Sequence, residues 1–129
     1  MGYESKLYIC RRIEAKELIF NEVLTAVNMC TMDSDFRVLF KNKLDGDFLG
    51  MDSEKSEFGK YEELTNGRAL TDDYGDELKY ASLTDVLNWC DKHIDEDYWR
   101  ITVLREILFT FKWYSPIDLD KLIVVHYGY

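Results

Sequence analysis

The chain opens on a strict alternation. In "YESKLYICRRI", Tyr3, Ser5, Leu7 and Ile9 fall on one side while Glu4, Lys6, Tyr8 and Cys10 fall on the other, which is the two-residue period of a β-strand. Both sides carry apolar groups, so the pattern predicts a strand inside a sheet rather than at its edge. The next stretch, "NEVLTAVNMCTM" (residues 21–32), fits two templates. Val23, Thr25, Val27 and Met29 alternate, yet Val23, Leu24, Val27 and Cys30 also make a helical stripe. The β-branched content and the neighbouring strand favour the extended form. "DSDFRVLFKNK" begins with Asp33, Ser34 and Asp35, any of which can cap a helix, and then places Phe36, Leu39 and Phe40 on one face. A short helix is expected there.

From residue 44 to residue 81 the pattern is broken by turn signals: Asp45-Gly46-Asp47, Gly50, Gly59, Asn66-Gly67 and Tyr74-Gly75-Asp76. Short strands joined by turns are expected, with "ALTDDYGDELKYA" as the clearest hairpin. Ser82 with Asp85 three residues later then resembles a capping box, and Leu83, Val86, Leu87, Cys90 and Ile94 recur at helical spacing. A second helix is expected to begin at Asp95, whose acidic neighbours Glu96 and Asp97 suit a helix N-terminus. It would run to about Trp113, burying Ile101, Leu104, Ile107, Leu108 and Phe111. Pro116 disfavours helix at Ser115. The closing strand, residues 121–128, turns Ile123, Val125 and Tyr127 one way and Leu122, Val124 and His126 the other. That reads as a strand covered on both sides, lying between strands of the N-terminal region. The whole predicts an α+β fold: one domain spanning residues 1–129, a mostly antiparallel sheet, two helices from the C-terminal half packed on it, and the last strand inserted in the sheet.

Composition supports a packed core. Of 129 residues, 47% are apolar, and nine Tyr, seven Phe and three Trp are too many for a disordered chain. Apolar runs such as residues 107–111 and 122–125 fall far short of the roughly 18 residues a membrane span needs, and the N-terminal residues lack a signal-peptide pattern. A soluble cytoplasmic protein is expected, with no membrane association. Cys10, Cys30 and Cys90 are an odd number without framework spacing, which suits reduced thiols. Charge adds a further feature. Residues 45–97 hold sixteen acids against five bases, whereas residues 1–44 hold six against seven and residues 98–129 three against four. The acidic middle is either a solvated face or a belt that meets a basic protein surface. Direct nucleic-acid binding is not expected, since it needs a basic stripe.

Motifs for chemistry are sparse. His126 lies in a run of β-formers with no nucleophile nearby in sequence, and the reading favoured is packing. The chain has no GxSxG elbow, no GxxxxGK[ST] loop and no GxGxxG. "CDKH", Cys90 to His93, offers half a zinc site but no second closely spaced pair, and neither metal nor other cofactor is expected. "LDGDFLGMD" fails as a calcium loop, because placing Gly46 at the sixth position puts Lys41 and Lys43 where ligands belong. No catalytic residues are assigned. Trp99, Trp113, Tyr114, Tyr127 and Tyr129 are expected in the core or at its edge.

The segments "MGYESKLYI", "DDYGDELKYASL" and "VVHYGY" resemble small uncharacterised proteins of bacteriophages and prophages of Gram-positive bacteria. The resemblance implies a phage accessory protein working in a bacterial host cell; it carries no site residues. The function expected is a non-catalytic acidic binding protein that engages a host protein, such as a nucleic-acid-handling or defence enzyme. Its candidate contacts are Asp72, Asp73, Asp76 and Glu77 around the hairpin turn and Asp95, Glu96 and Asp97 at the helix junction. The alternative is a small-molecule or nucleotide binder with an aromatic-lined pocket at a homodimer interface. Homo-oligomerisation is compatible with both.

Overall fold

The computed structural model describes residues 5–15, 18–30, 32, 34–49 and 78–128. The first strand is β1, Ser5–Ala15, followed by β2, Leu18–Cys30; the ambiguous stretch is therefore extended. A single helical turn, α1, covers Ser34–Arg37. Two short strands follow, β3 at Asn42–Lys43 and β4 at Asp47–Leu49, and the chain rejoins the sheet as β5, Lys79–Ser82. Helices α2, Leu83–Lys92, and α3, Trp99–Tyr114, come next. A 3-10 turn at Leu119–Lys121 leads into the last strand, β6, Leu122–Gly128.

Among the described residues these strands form one sheet of order β3-β5-β6-β1-β2-β4. All pairs are antiparallel except β2 with β4. The architecture is α+β, as the pattern predicts, and β1 is interior, flanked by β6 and β2. The last strand is also interior, with one correction: its neighbours are β1 and β5, not two strands of the N-terminal region. The hairpin expected over residues 69–81 lies outside the described residues except at its end, where residues 79–81 belong to β5.

Alternation divides the core between the two faces of the sheet. Leu7, Ile9, Leu122 and Val124 point toward the helices and pack with Phe36, Val86, Leu104 and Leu108. Tyr8, Cys10, Ile123, Val125 and Tyr127 point the other way and pack with Leu44 and Leu78. An interior strand with both faces covered needs apolar residues at every position, and "LIVV" supplies them. Helix α2 starts where the cap was expected: the Asp85 amide donates to Ser82 Oγ at 3.1 Å.

Gly46 explains how the chain turns from β3 into β4. Its φ is +89°, and a Cβ there would stand 2.6 Å from the Ile19 carbonyl oxygen, so only glycine fits. Asp45 beside it is held by Arg12 at 2.6 Å, and its carbonyl accepts from Asn21 Nδ2 at 2.8 Å. The "LDGD" stretch is thus a turn gripped by β1 and β2.

Candidate functional site

Helix α3 begins four residues later than expected, and the reason defines the site. Helix α2 ends at His93, whose amide donates to the carbonyls of Cys90 and Trp89. The chain then makes a compact turn, with Glu96 N–H bonded to His93 O and Tyr98 N–H to Glu96 O. Tyr98 is extended, at φ −141° and ψ 100°, and its hydroxyl donates to the Met29 carbonyl at 2.5 Å. That anchor to β2 prevents a helix from starting at Asp95. The three acids therefore lie in a turn, all exposed, rather than in the first turn of α3.

Their ionic surroundings differ. Glu96 Oε1 lies 2.5 Å from His93 Nδ1, and the His93 ring stacks on Trp89 with centroids 4.1 Å apart. Asp95 and Asp97 make no salt bridge among the described residues. Some acids elsewhere are paired with arginine, Glu22 with Arg11 at 2.9 Å, Asp45 with Arg12, and Asp91 and Glu106 with Arg105 at 2.8 and 2.9 Å, whereas Asp35, Asp85, Asp118 and Asp120, like Asp95 and Asp97, make no salt bridge among the described residues. The remaining candidates, Asp72, Asp73, Asp76 and Glu77, lie outside the described residues.

Immediately after the turn comes Trp99, 63% exposed, with the Arg100 guanidinium 4.5 Å from its ring centroid. Arg100 also donates to the Asn28 carbonyl of β2. Between these two elements lies an open cleft of about 220 Å³, bordered by Ala26, Asn28, Trp99, Val103 and Ile107. Pockets for drug-sized ligands span about 300–1,000 Å³, so this cleft is small for a nucleotide. Expectation and structure part company over the aromatics of α3. Trp113 and Tyr114 are 61% and 78% exposed, and only Tyr127 of the described set is buried; Tyr129 is outside the described residues. The signal was present in the helical wheel, where positions 99, 110 and 113 fall opposite the buried Ile101, Leu104 and Leu108.

His126 is placed on the helix side of the sheet against Phe40, ring centroids 5.0 Å apart, and its Nε2 shares a 3.0 Å hydrogen bond with Ser5 Oγ. A serine hydroxyl on an imidazole is the geometry of an activated nucleophile. Three features work against that chemistry. Ser5 is fully buried; burial, aided by the nearby Arg37 charge, lowers the His126 pKa to about 4; and a cation stands near the ring where a triad requires a carboxylate. The contact ties β6 to β1 across their pairing.

Two of the three thiols, Cys10 and Cys90, are buried, and Cys30 is half-buried. Burial pushes the Cys10 pKa far up and that of Cys90 up to about 12, and all three cysteines are free. Cys90 lies in the apolar cluster and His93 is turned to Glu96, so the "CDKH" pair does not converge. Among the described residues no group of three or more His, Cys, Asp or Glu is placed to hold a metal ion, and no helix is long and apolar enough to cross a membrane. No family model matches this chain, and no match was found among curated proteins or solved structures.

Proposed function

We propose that this chain is a non-catalytic binding protein of the phage accessory kind, which engages a basic surface of a host protein through its acidic middle region. One observation carries the reading: Asp95 and Asp97 are exposed on a turn that is fixed by Tyr98 to β2, and neither makes a salt bridge among the described residues. Charge on an anchored turn keeps its field available to a partner, and a backbone that is already fixed loses less entropy on binding. A net charge of −9 adds long-range attraction to any basic groove, including one that normally holds phosphate.

The test is an affinity pull-down of the tagged full chain from lysate of a Gram-positive host, eluted by a salt gradient. One stoichiometric host protein released at moderate salt is expected. The double variant Asp95→Lys/Asp97→Lys should weaken that complex by tenfold or more, about 1.4 kcal/mol, and flatten its dependence on salt. Recovery of the bait alone, or equal binding by the variant, would remove the acidic turn from the account.

A further inference from the structure

Helix α3 is apolar on two opposite sides. Ile101, Leu104 and Leu108 are buried against the sheet, while Trp99, Val103, Thr110, Trp113 and Tyr114 lie on the outer side. Trp99, Val103, Glu106, Thr110 and Trp113 are spaced four, three, four and three residues apart. That is the spacing of a seam at which one helix packs on another. Large apolar side chains are ordinarily buried, yet here the outer side is open: Trp99, Trp113 and Tyr114 are each more than 60% exposed and Val103 is 41% exposed.

We infer that this outer face of α3 is covered by the same face of a second copy of the chain, the two helices running antiparallel about a two-fold axis near Glu106.

Area supports a second copy. Three aromatic side chains with most of their surface open offer on the order of 400 Å², already in the range of about 300–600 Å² for the largest patch on a typical monomer. Val103, Thr110 and the stems of the flanking long side chains extend the patch along a helix about 24 Å long. The total, on the order of 500 Å² per partner, reaches the lower bound of about 1,000 Å² buried in all for a specific interface.

Charge supports it as well. Within a chain of −9, α3 carries Arg100, Arg105 and Lys112 against Glu106 alone, and Arg105 already pairs with Glu106. The three bases flank the outer face, on which Glu106 is the charged residue, and the Arg105 pairing offsets it, so two copies meeting here bring little net charge together. Antiparallel packing sets the acidic turn at residues 95–97 of each copy beside the Lys112 end of the other, whereas parallel packing would set acid beside acid. The self-complementary patch also suits an isologous contact, which closes at two copies instead of growing into fibres.

This inference brings the turn at residues 95–97, which the proposed host partner would also use, near a second copy, and it is tested on the purified chain alone. Sedimentation velocity should give twice the 15.3 kDa chain mass at concentrations up to ~100 µM, and Trp113→Glu should raise the dissociation constant by about 30-fold or more. Because Trp113 is exposed, the variant should keep its far-UV circular dichroism and cooperative melt. Under mild oxidation Glu106→Cys, near the axis, should form a disulfide-linked pair that the otherwise wild-type chain does not. A wild-type chain that is monomeric throughout the range would overturn the inference, as would a folded Trp113→Glu variant that remains as dimeric as wild type. Failure here would leave the host-partner reading untouched, since that reading stands on Asp95 and Asp97.

Discussion

At position 126 an imidazole takes a place in β6 that alternation reserves for an apolar side chain. The protein accommodates it by keeping the ring neutral: Ser5 supplies a hydrogen-bonding partner, Phe40 a packing surface, and burial with Arg37 nearby lowers its pKa to about 4. The unfolded chain, with an ordinary histidine near 6.5, takes up a proton first as pH falls. The fold therefore keeps its full stability above pH 6.5 and loses up to about 3 kcal/mol between 6.5 and 4. Carboxylates contribute to acid unfolding too, so the informative quantity is a difference. Urea melts across that window should show a weaker pH dependence for His126→Gln than for wild type, whereas parallel curves would mean that the ring is solvated and not packed as described. The packing role was legible from the surrounding β-formers. Its partners were not, because Ser5 lies 121 residues away and only the pairing of β6 with β1 brings it near.

Elements with a strong internal period were legible; their ends were legible only where a local cap decided them. Helix α2 starts at the Ser82 cap because that hydrogen bond is local. Helix α3 does not start at its acids because a distant contact, Tyr98 to Met29, fixes the preceding residue as extended. For β2 the choice between strand and helix was made by pairing along nearly all of β1, which no local pattern could reveal. The seam on the outside of α3 was readable in the spacing, but aromatic residues default to the core when no neighbour is known. The interior position of β6 has a direct consequence. Deleting residues 122–129 removes Leu122, Ile123, Val124, Val125 and Tyr127, all buried, each worth about 1.5–3 kcal/mol of burial. That exceeds the low end of the roughly 5–15 kcal/mol by which a domain is stable, and it also leaves β1 and β5 without their shared partner. The truncated chain should be insoluble or bind a hydrophobic dye without a cooperative melt; a native-like transition in calorimetry would show that β6 is dispensable.

On the scale of the whole molecule, the order β3-β5-β6-β1-β2-β4 could not be read from the chain, because it depends on which edges meet after collapse. The charge distribution could be read, and it carries its own prediction. With a sequence pI near 4.7, the −9 per chain that keeps molecules from associating beyond the α3 pair at neutral pH vanishes in the same acid range where neutral, half-buried His126 becomes a liability. Loss of mutual repulsion and partial loosening of the core then act together to promote association. Turbidity on acidification should rise to a maximum near pH 4.7 and fall again at lower pH as net positive charge develops. Neutralising two acids with Asp95→Asn/Asp97→Asn should move the maximum upward in pH, since fewer carboxylates must be protonated to reach zero charge. A solution that stays clear through pH 4.7 at ~100 µM would mean that charge is not what keeps the molecules separate.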